Sequence, residues 1–224
     1  MKRLSVIILF ALPFIFTSCE GDFDDFFGDL LDQASGSAEV FALAANSNDT
    51  VFNSTFEFSA VSVIDTTIEN VDISYLIGVS AHTSLEEQEI DFPYMLCTLG
   101  DTLEGLHTVN FVIDTSFILN FDYEEFVQTN RENIVAIIAD EENWFIGSSG
   151  NIQLDVYEGY GGLVDGSFNN VVAYHLTQEI VDDVVDNYEA GNIVQTIGII
   201  ANIPTVTLHG SFSSRNIDIM QFLQ

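Results

Sequence analysis

What most constrains the fold of this 224-residue chain is an alternation of apolar and polar side chains that recurs from residue 39 almost to the end. It runs through VFALA (40–44), FNSTFEFSAVSVI (52–64), VDISYLIGVSA (71–81), HTVNFVI (107–113) and SFILNF (116–121). It resumes in NIQLDVY (151–157), LVDGSFNNVVAYHL (163–176), IVQTIGIIA (193–201), PTVTLHGSF (204–212) and RNIDIMQF (215–222). Successive side chains of a strand point to opposite faces, so a period of two predicts strands with one wet and one buried face. The runs are rich in Val, Ile, Thr, Phe and Tyr and are bounded by Asn, Asp, Gly and Ser, as strands and their turns require. About ten short strands predict a mainly β fold, sandwich or barrel, of which we take the antiparallel β-sandwich, with one or two short helices.

Two local patterns add detail. Ile180, Val181, Val184, Val185 and Tyr188 share one helical face, with Thr177 placed to cap the start and Gly191 the end. A shorter helical turn is predicted at Tyr123–Thr129. The tripeptide Gly-Ser-Phe occurs late in two strand-like runs, at 166–168 and 210–212. Glycine inside a strand marks a bulge or a close approach of backbones.

The N-terminus has a different character. Lys2 and Arg3 precede a 13-residue, mostly apolar run, Leu4 to Phe16. That run is too short for a hydrocarbon core of ~30 Å, which takes about 20 apolar residues. With Thr17 and Ser18 at the cleavage position it reads as a secretory signal. Cys19 follows, and the segment resembles the lipobox of bacterial lipoproteins, in which the cysteine thiol is diacylated and becomes the new N-terminus. Residues 20–32, EGDFDDFFGDLLD, hold six acidic side chains. They resemble the acidic stretch that marks some Bacteroidota lipoproteins for display on the cell surface. The phrase SGNIQLDVYEGYGGLVDGSF (149–168) resembles the closing hairpin of small β-sandwich domains of unknown function in lipoproteins of that phylum. The resemblance implies a signal peptide at 1–18, a lipidated acidic tether at 19–37 and a β-sandwich domain at 38–224. It implies an outer-membrane, surface-exposed protein held through lipid on Cys19, and no catalytic residues. Within the tether, Phe23, Phe26, Phe27, Leu30 and Leu31 fall on one helical face. That face packs on the domain or lies at the lipid surface, where the surrounding acids gain nothing from anionic headgroups. Ala34–Ala38 reads as a small-residue hinge.

Charge excludes whole classes of partner. The chain has four Lys and Arg against 35 Asp and Glu, a net charge of −31. Without residues 1–18 only Arg131 and Arg215 remain, two cations against 35 carboxylates, or about −33. Nucleic-acid binding needs Lys and Arg to neutralise phosphates, so that function is excluded. Polybasic attraction to anionic lipid is excluded likewise. The acidity is consistent with a solvated, self-repelling surface, with a salty habitat, or with loose capture of divalent cations. With Cys19 lipidated, Cys97 in PYMLCTL has no partner and reads as a buried, inert thiol.

No catalytic set is legible. His82, His107, His175 and His209 share no metal-like spacing. Gly147-Ser148-Ser149-Gly150 lacks the spacing of a nucleophile elbow, and no lysine follows Lys2, which removes Schiff-base and P-loop chemistry. Abundant carboxylates leave open a glycosidase-like pair, with Trp144, Tyr157 and Tyr160 as sugar-stacking candidates. Calcium is a second open reading: Asp140–Asn143 and Asp182, Asp183, Asp186, Asn187 are oxygen-rich, though neither group matches an EF-hand loop. Asp-Thr pairs at Thr50, Thr66 and Thr102 resemble the O-glycosylation acceptor that Bacteroidota use on exported proteins. The same pairs read equally as turn starts, in which Asp and Thr bond nearby backbone N–H groups. The expected function is a non-enzymatic binding or interaction module on the outer membrane, with a glycan or protein partner. Its alternatives are a secreted polysaccharide hydrolase or a calcium-dependent adhesive module.

Overall fold

A computed structural model describes residues 36–45, 47, 49–68, 71–82, 91–113, 133–140 and 142–217. The signal segment, Cys19, the 23–31 helical face, the 116–121 run, the 123–129 turn, Arg131 and residues 218–222 of the last run lie outside these. The described chain is mainly β. Its strands are β1 (Ser37–Ala44), β2 (Thr50–Phe56), β3 (Phe58–Ile68), β4 (Val71–His82), β5 (Asp91–Leu99) and β6 (Gly105–Asn110). They continue as β7 (Ile134–Ile138), β8 (Asn143–Tyr157), β9 (Leu163–Thr177) and β10 (Thr205–Asn216). Two helices, α1 (Gln178–Glu189) and α2 (Ile193–Ala201), connect β9 to β10.

The sheet order is β2-β1-β10-β3-β4-β5-β7-β8-β6, and β9 bridges β8 and β10. Hydrogen bonding therefore runs from β10 through β3, β4, β5, β7, β8 and β9 back to β10, so the sheet closes on itself. The strand pairings are antiparallel except β10 with β3, which run parallel at Arg215–Asn216. Their length lets the long strands serve two neighbours along one edge. β8 pairs with β7 through Trp144–Ile146 and with β6 through Ser149–Leu154. β10 pairs with β1 as far as Ser213 and with β3 beyond it.

Each of the ten strands contributes to one core, including Val40, Phe56, Leu76, Met95, Ile137, Phe145, Leu154, Phe168 and Phe212. On the other side of β7 and β8 a second cluster, with Trp144, Ile138, Ile146 and Leu176, packs under Ile180 and Val181 of α1 and Ile200 of α2. β7 and the start of β8 are thus buried on both faces. Trp144, Phe145 and Ile146 are consecutive buried residues, so the period of two vanishes there and the strand start is invisible to it. The same holds for IVAII of β7.

α1 follows its sequence signals: Thr177 Oγ1 accepts from Ile180 N at 3.3 Å, and Gly191 beyond the last turn has φ +77°. α2 corrects the sequence reading, which made IVQTIGIIA a strand. Ile193, Ile197 and Ile200 satisfy a helical period while Ile193, Ile197 and Ile199 satisfy an alternating one, and packing of Ile200 and Ile203 into the second cluster selects the helix. FNSTFEFSAVSVI is two strands, broken at Glu57, because its halves join β1 and β4 respectively. Asp140–Asn143 is a tight hairpin turn in which Glu142 N and Asn143 Nδ2 donate to Asp140 (2.8 and 2.9 Å).

The repeated Gly-Ser-Phe has a structural meaning. The two tripeptides face each other across β9 and β10: Gly166 opposite Phe212, Ser167 opposite Ser211, Phe168 opposite Gly210. Each ring lies over the glycine of the other strand. A Cβ at Gly166 would fall 2.4 Å from Phe212 Cζ, and one at Gly210 would fall 2.4 Å from Phe168 Cζ. The rings point into the core and the serines point outward. Gly210→Ala is expected to lower stability by about 1–3 kcal/mol, read as a fall in the urea midpoint, because the buried Phe168 ring has nowhere to go. An unchanged midpoint would refute this packing.

Candidate functional site

The outward side of the Gly-Ser-Phe pair forms the floor of an open cleft of about 370 Å³. Ser37 and Glu39 of β1, Thr55 of β2, Asp155 of β8, Asp165 and Ser167 of β9, and Ser211 and Ser213 of β10 line it. The register explains the gathering. Ser213 lies opposite both Ser37 and Asp165, and Ser211 opposite both Glu39 and Ser167. Thr55 lies opposite Glu39 on the far side of β1. Small hydroxyl residues at the centre, made possible because both phenylalanines turn inward, leave the concavity.

Three carboxylates enter this cleft and no cation does. Glu39 Oε1 accepts from Ser211 Oγ at 3.3 Å. Asp165 Oδ1 is shielded from solvent and receives no hydrogen bond. A buried unsatisfied acceptor costs about 1–3 kcal/mol. Two residues further along the same strands, Phe41 and His209 stack at 4.8 Å with rings 7° apart. They lie on the same face as Glu39 and Ser211, and Phe41 is 40% exposed. The cleft therefore offers acceptors and hydroxyls beside an aromatic pair. Its lining would bond a ligand rich in O–H or N–H donors and repel an anion.

The residues singled out from sequence fall elsewhere, apart from His209. Trp144 is fully buried in the second cluster, so it offers no face to a sugar. Tyr157 packs against the main core, its hydroxyl accepting from Asn216 Nδ2 at 3.3 Å, whereas Tyr160 is exposed in the β8–β9 turn. His107 is buried on β6 with Nε2 2.7 Å from Leu103 O. Of His82 only the backbone register is described. Cys97 is buried and its thiol is pushed up to about 12 by desolvation, which removes the nucleophilic thiolate at neutral pH. Asp182, Asp183 and Asp186 are exposed on α1, Asp182 accepting from Gln178 Nε2 at 2.7 Å. Among the described residues no three His, Cys, Asp or Glu side chains are grouped to hold a metal ion.

Thr50 is exposed at the start of β2, next to a turn in which Ser47 Oγ bonds Asp49. Thr102 is half-buried in a loop where Asp101 Oδ1 accepts from Leu103 N at 2.8 Å. Both sites have the turn geometry read from sequence. Thr66 does not: it sits within β3, opposite Ile73. None of the three lines the cleft. The cleft itself was missed because Glu39 on β1 is far in sequence from the β8–β9 hairpin that carries Asp155 and Asp165. Its one sequence signal was the Gly-Ser-Phe repeat. Comparisons with protein-family models, with curated proteins and with solved structures find no match.

His175 supplies a second polar group with a physical signature. Its ring stacks on Phe145 at 4.6 Å, and Nε2 donates to Asn143 Oδ1 at 3.2 Å. Asn143 in turn bonds Asp140 at 2.9 and 3.1 Å. Burial holds this imidazole below its usual range, against the opposite pull of the Asp140 carboxylate. A depressed histidine means that the unfolded chain takes up the proton first. The stability it contributes is complete above the unfolded value of about 6.5 and is lost as pH falls below it. Between about pH 7.5 and 5.5 the wild type should therefore lose more thermal stability than His175→Gln, and parallel melting curves would contradict this.

Proposed function

We propose that this chain is a non-enzymatic binding module, anchored by lipid on Cys19 to the outer membrane and displayed at the cell surface. Its ligand is a neutral, polyhydroxylated molecule of the glycan class, held on the outward face of β1, β10 and β9. The observation that carries the ligand reading is the gathering of Glu39, Asp155 and Asp165 with four serine hydroxyls in one cleft that no cation enters. Sugar hydroxyls would donate to these carboxylates, and hydrogen bonds to charged groups contribute about 1.5–3 kcal/mol. Phe41 and His209 would supply the apolar contact that sugar rings take from aromatic edges and faces. Anions such as phosphate or sulfate esters are disfavoured by Glu39, Asp155 and Asp165 together. The anchor rests on the basic start, the short apolar run and the cysteine at 19.

A second reading, hydrolysis of a polysaccharide, draws on the same three carboxylates. It would need two of them about 5–9.5 Å apart across a glycosidic bond. The two readings separate in one experiment. The purified chain is screened on immobilised neutral glycans, and hits are measured by calorimetry and followed for cleavage. Binding without turnover is expected, with Asp165→Ala about tenfold or more weaker, the equivalent of ~1.4 kcal/mol or more. Turnover lost on removing two of the carboxylates would replace this reading with the hydrolase. An Asp165→Ala variant that binds normally would refute the site.

The anchor is tested separately. Mass spectrometry of the membrane-bound chain is expected to show an acylated N-terminus at Cys19, and Cys19→Ala should move the chain to the aqueous fraction. Retention of Cys19→Ala in the membrane would refute lipid anchoring at this position.

A further inference from the structure

α2 reverses the usual arrangement of a surface helix. Thr196 is fully buried, while Val194, Ile197 and Ile193 are 85%, 53% and 45% exposed. Thr196 Oγ1 donates to Asn192 O at 3.2 Å, so its hydroxyl is satisfied in the interior. Ile193, Val194, Ile197 and Ala201 recur at i, i+1, i+4 and i+8, a single stripe along the outside. A contiguous apolar stripe rimmed by polar residues marks an interaction surface.

Two further observations say what covers it. The first is charge. Residues 190–214 contain no Asp, Glu, Lys or Arg, in a chain in which 17% of residues are charged and the net charge is −31. Entry of this surface into an apolar phase strips no ionised group of water. A second copy is a poorer occupant, because α1 beside it carries Glu179, Asp182, Asp183, Asp186 and Glu189, and two such helices brought together repel. The second is reach. α2 leads into β10 at Thr205, whereas Ser37 pairs with Ser213 near the other end of that strand. Eight residues at ~3.4 Å place these points about 27 Å apart. The 17 residues between Cys19 and Ser37 span up to ~60 Å when extended, at ~3.3–3.6 Å each. A lipid-bearing Cys19 and α2 can therefore meet the same bilayer.

We propose that the Ile193–Val194–Ile197 stripe beds into the headgroup–acyl boundary of the bilayer to which Cys19 is tethered; this inference rests on the anchor reading above. The stripe is short, and the tether supplies the local concentration that its own affinity lacks. The acids of α1 limit it to the interface, where they stay hydrated. Docking there fixes the orientation of the domain on the surface.

The test uses the full chain in native membranes. Val194→Cys and, as a control, Glu57→Cys at the exposed bend between β2 and β3 are treated with a membrane-impermeant maleimide, before and after detergent. Cys97 is buried and stays silent. Loss of labelling at Val194→Cys in membranes, restored by detergent, with Glu57→Cys labelled in both, is the expected result. A membrane-bound chain whose Val194→Cys labels as readily as the control overturns the docking while leaving the anchor intact. Protection that comes with disulfide crosslinks between two copies of the Val194→Cys chain overturns it in favour of self-association. A chain found in the aqueous fraction overturns the anchor and this inference together.

Discussion

The close approach of β9 and β10 at their paired Gly-Ser-Phe segments governs this structure. β10 is the strand at which the ring of pairings closes: it bonds β1, β9 and β3. The ring of hydrogen bonds closes only if β9 and β10 stay in register along their length. Two phenylalanine rings, each lying where the opposite glycine lacks a Cβ, set that register. A one-residue slip would turn both rings to solvent and both serines to the core. The same geometry hollows the outer face, because serine is all that remains on that side.

Polar groups inside the sandwich are arranged in the same economical way. Ser59 Oγ bonds both Ser80 Oγ and Ser214 Oγ, joining β3, β4 and β10 where the parallel step occurs. The three buried hydroxyls satisfy one another where the regular ladder ends, which removes the penalty of burying them singly. Trp144 Nε1, Tyr94 Oη and Asp165 Oδ1 depart from that pattern, and of these residues Asp165 is the one that lines the cleft. A surface of this acidity makes a lone carboxylate uninformative. Three carboxylates gathered with four serine hydroxyls where no cation enters are informative, since like charges are crowded together there.

The cleft and α2 lie toward opposite ends of β10. With α2 at the bilayer, as inferred, the cleft would stand about 20–27 Å further out, at ~3.4 Å per strand residue, facing the medium in which a glycan would be met. The acidic surface would then do two compatible things: keep copies apart on the membrane, and admit neutral ligands while repelling anionic ones.

Sequence alone determined the class of the fold, because alternation of side chains along a half-buried strand is a local property. β1, β4, β9 and β10 were legible for that reason, and the cap and stop of α1 were legible from Thr177 and Gly191. It failed where burial was two-sided, at β7 and the start of β8, since a strand covered on both faces has no period to read. It failed at IVQTIGIIA, where two periods fit and the helix was chosen by Ile200 and Ile203 packing on a cluster built from distant strands. The order of the strands, and with it the meeting of Glu39, Asp155 and Asp165, belongs to the tertiary structure only. That β1 and β3 both pair with β10 is decided by the fit of one surface on another across more than a hundred residues of chain, and no local pattern carries that information.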